Sequence, residues 1–81
     1  MKVGMKSFLL SDSWDAYLSM KLAGIKGIYI KNNDEILTEY RNALSGGYGI
    51  IFITEKIFQA IKEEVLNTKT TLKVPLITVI P

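Results

Sequence analysis

Gly49-Ile50-Ile51-Phe52-Ile53-Thr54-Glu55-Lys56-Ile57 sets the architecture of this chain. A turn glycine opens it, large apolar residues follow without alternation, and Thr54 hands over to a helical pattern. An unbroken apolar run predicts a strand covered on both faces, as at the centre of a parallel sheet between helices. The Thr54 hydroxyl is expected to cap the next helix, with Glu55 placing negative charge at its positive end.

The segments around this unit follow the same alternation. Val3 to Leu10 ends in Ser7-Phe8-Leu9-Leu10 and reads as a first strand, broken by the turn-forming Ser11-Asp12-Ser13. Trp14, Tyr17, Leu18 and Leu22 form one stripe at helical spacing, with Asp12 or Ser13 as cap and Gly24 as stop. Gly27-Ile28-Tyr29-Ile30 is a short second strand. Asn32 and Glu35 have the spacing of a capping box, ahead of a helix from about Asp34 to Leu44. Its inner face is Ile36, Leu37, Tyr40, Ala43 and Leu44, and Ser45-Gly46-Gly47 ends it. A third helix is predicted from Glu55 to about Leu66, with Ile57, Phe58, Ile61 and Val65 inward, then a polar linker through Thr71. Leu76-Ile77-Thr78-Val79-Ile80 is the last strand.

This βαβαβαβ order predicts an α/β fold: a small, doubly wound, parallel four-stranded sheet of the Rossmann or flavodoxin-like kind. Strand order 2-1-3-4 places the two most apolar inner strands at the centre. Right-handed connections then put the first helix on one face and the other two on the opposite face. One helix cannot cover four strands, so the area beside the third and fourth strands is expected to lack a cover.

With 81 residues the chain is expected to form one domain over 1–81. Its composition, 48% apolar and 22% charged, argues against disorder. The net charge of +2 comes without an Arg/Lys run interleaved with aromatics, so a nucleic-acid partner is not expected. No cysteine or histidine is present, which removes disulfides, thiolate chemistry and the usual imidazole ligand or proton shuttle. The amino terminus lacks the apolar stretch of a signal peptide and no run approaches membrane-spanning length, which points to a cytoplasmic protein without direct membrane insertion.

Ligands of doubly wound sheets sit beyond the carboxyl ends of the strands, a rim that here carries Ser11, Asp12, Ser13, Lys31, Asn32, Thr54 and Glu55. A phospho-acceptor site needs further acid beside Asp12 and an acceptor Asp after the third strand, where Thr54 stands instead. Gly46-Gly47-Tyr48-Gly49 precedes a strand, whereas a phosphate loop follows one, so these glycines read as a helix stop and turn. A flavin phosphate would meet the negative charge of Asp12. Glu63-Glu64 and Asp34-Glu35 are adjacent on helices and diverge. Trp14, Tyr17 and Tyr40 read as core. No catalytic residue, cofactor site or metal site is expected.

Several segments jointly resemble one family. Ser19-Met20-Lys21-Leu22-Ala23-Gly24-Ile25 before the second strand, the stretch Gly49 to Ile57, and Pro75-Leu76-Ile77-Thr78-Val79-Ile80-Pro81 keep an order and spacing similar to the F subunit of V-type/A-type ATP synthases. Asp12 falls where that family has Gly-Asp after its first strand. Departures are Ser11 and Ser19 in place of glycine, Met20 for Phe, and Lys21 for Arg, the last not a neutral exchange at a forked contact.

The resemblance implies a non-catalytic rotor component of the central stalk, peripheral to the membrane on its cytoplasmic side. Its implied partner is the coiled-coil D subunit and, through it, the catalytic hexamer and membrane rotor, so that ATP hydrolysis or synthesis is coupled to proton or sodium transport. The family often continues into a C-terminal tail linked to regulation of hydrolysis. With Pro81 last, no tail-based brake is expected here. Leu76, Thr78 and Ile80 share one parity on the last strand and are the expected partner contacts. In the competing reading, Leu76 and Ile80 pack under the third helix. The rival functions are a stand-alone receiver-like or flavodoxin-like module, and a homo-oligomer paired through open edge strands.

Overall fold

The computed structural model describes residues 6–81. Val3 to Met5, read as the start of the first strand, lie outside the described residues. The elements are β1 (Ser7–Ser11), α1 (Trp14–Leu22), β2 (Lys26–Tyr29), a 3-10 turn (Asn33–Glu35) running into α2 (Ile36–Leu44), β3 (Ile50–Thr54), α3 (Glu55–Ala60), α4 (Lys62–Thr71) and β4 (Leu76–Ile80). All strand pairs are parallel and the order is β2-β1-β3-β4, as the alternation of elements predicts.

Register divides the sheet into two unequal faces. Phe8 lies opposite Ile51, Leu10 opposite Ile53, and Ile51 opposite Ile77, so these residues share one face. Against it pack Ile36, Tyr40 and Ala43 of α2, Ile57 of α3, Ile61, and Val65 of α4, forming one buried core. The inward residues read from the second and third helical patterns are thus the residues that meet the sheet. On the other face α1 lies over β1 and β2, and Leu9 and Ser11 of β1 are fully buried there. Gly27 sits opposite Leu9, where an added Cβ would stand 2.8 Å from the Leu9 carbonyl oxygen and 2.9 Å from its Cβ. That close approach requires glycine.

Several local expectations are corrected. Ser11 belongs to β1, and β2 begins one residue early at Lys26. Asn32 precedes the 3-10 turn without a side-chain capping bond, so no capping box forms. The third helix is two helices. Ile61, at φ −128° and ψ 33°, leaves helical geometry and lets the chain bend while its side chain stays in the core. α4 then continues to Thr71 through the residues read as a linker. Thr68 donates to the Glu64 carbonyl, and Thr70 and Thr71 donate to the Asn67 carbonyl, each at 2.8 Å. Hydroxyls bonded back onto the preceding turn let a threonine-rich run remain helical.

α1 differs most from its reading. None of its residues is buried; Trp14 is 52% and Leu22 is 81% exposed, so the predicted core role of Trp14 and Tyr17 does not hold. Trp14 instead packs edge-on against Tyr29, with ring centroids 5.4 Å apart, and against Tyr17 at 5.4 Å, forming an aromatic cluster toward β2. Ser13 caps the helix, its hydroxyl accepting from the Ala16 N–H at 3.2 Å. Gly24, at φ +89°, turns the chain out of it, as a helix-stopping glycine does.

Candidate docking face

The carboxyl rim is braced by its own polar groups. The Thr54 hydroxyl donates to the Asp12 carboxylate at 2.5 Å, and the Asp12 N–H donates to Thr54 Oγ1 at 3.3 Å. Thr54 makes no capping bond to α3, and Asp12 does not cap α1; the two residues instead tie the β1–α1 loop to the end of β3. Fully buried Ser11 donates its hydroxyl to the Ser13 carbonyl at 2.8 Å and accepts from the Ser13 N–H at 2.9 Å. Beside this brace is a cleft of about 440 Å³ lined by Asp12, Tyr29, Lys31, Ile36, Lys56 and Ile57. It offers one carboxylate already engaged by a hydroxyl, and two lysines. Among the described residues no three His, Cys, Asp or Glu side chains converge as a metal site.

A different surface lies over β3 and β4. Their register places Ile50 beside Leu76, Phe52 beside Thr78 and Thr54 beside Ile80, on the sheet face that also carries α1. α1 packs chiefly on β1 and β2. Leu76 is 57% exposed, and Ile50, Phe52, Thr78 and Ile80 are each only half-buried. The expectation that both faces of the third strand are covered is therefore met on one face alone. Ile51 and Ile53 are fully buried, whereas Ile50 and Phe52 are not. The competing reading, with Leu76 and Ile80 under the third helix, fails on register. Ile77 and Val79 are the β4 residues on the helix-covered side, and Ile77 is buried.

Leu76, Thr78 and Ile80 thus stand together on one face of β4, as their parity predicts, and β3 contributes Ile50 and Phe52 beside them. The sequence reading did not include those two, although parity from Thr54 backward along β3 would have found them. The face presents aliphatic and aromatic carbon with the Thr78 hydroxyl, the second hydroxyl, that of buried Thr54, being held by Asp12. Such a surface suits protein contact rather than chemistry.

Comparison with known proteins adds an independent line. Residues 8–81 match the family described as the ATP synthase (F/14-kDa) subunit. A similar curated protein is the F subunit of the A-type ATP synthase of Methanothermobacter thermautotrophicus, 31% identical over 68 residues. The aligned stretch covers 83% of this chain and 64% of that relative, so the chain spans less than two thirds of the relative's length. No solved structure matches significantly. The match to the family extends from the second residue of β1 through β4 to Pro81, and with it this chain belongs to the family of ATP synthase F subunits.

Proposed function

We propose that the protein is a non-catalytic central-stalk subunit of a V-type/A-type rotary ATPase. In this role it binds the coiled-coil D subunit and helps couple ATP hydrolysis or synthesis to proton or sodium transport. Nucleotide and ion chemistry reside in other subunits, and the protein sits at the cytoplasmic side, peripheral to the membrane. Among the described residues no helix is long and apolar enough to cross a membrane. The observation that carries this reading is the uncovered half of the α1-side face. A rotor accessory needs a stiff body and a firm grip on the shaft. The parallel sheet with its single core supplies the first, and Leu76, Thr78 and Ile80, with Ile50 and Phe52, supply the second.

Two packed helices laid on β3 and β4 would complete the layer that α1 leaves unfinished. Leu76→Asp and Ile80→Asp each place a charge at that contact, where a central apolar anchor contributes about 2 kcal/mol or more to binding. Titration against the D subunit of the same organism is expected to show at least that loss, with far-UV circular dichroism unchanged. Undiminished binding, or loss of the fold in place of loss of binding, overturns the assignment of these residues.

A further inference from the structure

Parallel strands start at one end of the sheet, and the acidic residues gather at the other, the carboxyl end, where Lys31 and Lys56 stand among them. Asp12, Asp15, Asp34, Glu35 and Glu55 lie in or just after the connections that leave the carboxyl ends of the strands. Lys6, Lys26 and Lys73 lie at or just before strand starts, while Lys21 and Lys69 lie in the last turns of α1 and α4. No acidic residue occurs between Ala16 and Asn33, between Tyr40 and Thr54, or from Leu66 onward. The small net charge conceals this separation. Helix dipoles account for Lys21 and Lys69. They do not account for Lys26 on a strand or Lys73 in a loop.

Two clefts open at this basic end, at opposite edges of the sheet. One, of about 400 Å³ near the start of β2, is lined by Phe8, Tyr17, Ile25 and the pair Lys21 and Lys26. The other, of about 650 Å³ near the start of β4, is lined by Leu72, Leu76 and the pair Lys69 and Lys73. Neither is lined by an acidic residue. All four lysines are exposed, and none takes part in an ion pair among the described residues. Three strand spacings separate β2 from β4, roughly 14 Å. A pair of packed helices, with axes about 8–10 Å apart, is about 18–22 Å across with its side chains, a width that long lysine side chains reaching out from the two edges can bracket.

We infer that the amino end of the sheet recognises carboxylates on the flanks of a helix pair, through Lys21 and Lys26 at one edge and Lys69 and Lys73 at the other. This rests on the stalk reading above. Leu76 belongs to both surfaces, so helices seated on β3 and β4 pass directly to the basic end. The apolar face supplies grip, while the lysine pairs steer approach and fix which way round the partner sits.

The test is titration of the full chain against the D subunit of the same organism at 50 and 500 mM salt, with Lys21→Glu/Lys26→Glu, Lys69→Glu/Lys73→Glu and, as a carboxyl-end control, Lys31→Glu/Lys56→Glu. The expected result is a loss of affinity of about tenfold at high salt, and of about tenfold for each amino-end double variant at low salt, with the control unchanged. Binding that ignores both salt and the amino-end lysines overturns this inference and leaves the stalk reading intact. Equal losses in the control overturn it too, since the effect is then one of net charge. No binding at either salt overturns the stalk reading itself, and this inference with it. In a parallel sedimentation with anionic phospholipid vesicles, lysine-dependent capture without any lysine effect on D binding reassigns the surface to a membrane and overturns the inference.

Discussion

Tyr40 carries the one buried phenol of the core, and its hydroxyl is accounted for link by link. It donates to Thr68 Oγ1 at 2.8 Å, and Thr68 in turn donates to the Glu64 carbonyl at 2.8 Å. Burial pushes the phenol above its ordinary value of 10.0, and the nearby Glu64 carboxylate adds to the rise. The folded state therefore holds this proton more tightly than the unfolded chain. The associated stability is complete below about pH 10, and is lost as pH rises through the folded-state value. Tyr40→Phe is expected to cost about 1 kcal/mol near neutral pH, by loss of one buried hydrogen bond. Denaturant titrations of the two proteins are then expected to converge above about pH 10, because only the wild type carries this term. Curves that stay parallel would show that Tyr40 does not titrate differently in the two states. The core position of Tyr40 was legible from its helical spacing with Ile36 and Ala43. Its partner was not, because Thr68 lies 28 residues away and read as part of a linker. Thr54 went the same way. A threonine at a strand–helix junction signals a cap, but the fold brings the Asp12 carboxylate to its hydroxyl from 42 residues away, and a charged acceptor makes the stronger bond.

Helices with equally convincing apolar spacing met different fates. The stripes of α2, α3 and α4 reach the sheet, because three elements share one face and enclose a continuous core. The stripe of α1 does not. Trp14, Leu18 and Leu22 recur at helical spacing, yet each is exposed and α1 buries none of its residues. Periodicity fixes which side chains share a stripe but not which stripe faces the sheet. α1 instead turns Tyr17 toward Tyr29 and leaves the leucines outward. Leu22→Ser is therefore expected to change stability by less than about 0.5 kcal/mol. Ile57→Ala, at a fully buried site on α3, is expected to cost about 2–5 kcal/mol. Chemical denaturation of the two variants side by side checks the contrast, and comparable losses would contradict the outward orientation of α1. The break at Ile61 has a similar origin. The side-chain pattern runs smoothly from Ile57 to Val65, so nothing local announces two helices, and the bend serves packing against β3 and β4.

Among the described residues the fold is an α/β layer built to completion on one side of its sheet and to half on the other. A folded unit of about this size buries only about 60–65% of its unfolded surface, so leaving strand area open draws on a small reserve of stability. A partner that binds the folded state alone returns it by mass action. With the proposed partner, the D subunit, at 100 times its dissociation constant, about 2.7 kcal/mol of added stability is expected. In a domain of this size that raises the melting temperature by roughly 10–20 °C, measurable by calorimetry on the complex. An unshifted melting temperature at saturation would mean that the partner does not recognise the folded sheet. Element order, the parallel sheet and its 2-1-3-4 arrangement could all be read from the chain, because apolar runs and turn residues act within a few positions of each other and crossover handedness leaves few topologies. Family membership was legible too, through segments whose spacing the fold itself constrains. The partnership of Asp12 with Thr54 and of Tyr40 with Thr68, the outward stripe of α1, and the gathering of lysines from α1, β2, α4 and the loop before β4 at one end emerged only in three dimensions. Each joins residues far apart in the chain, and hydrogen bonds, burial and charge act through space, where no local pattern records them.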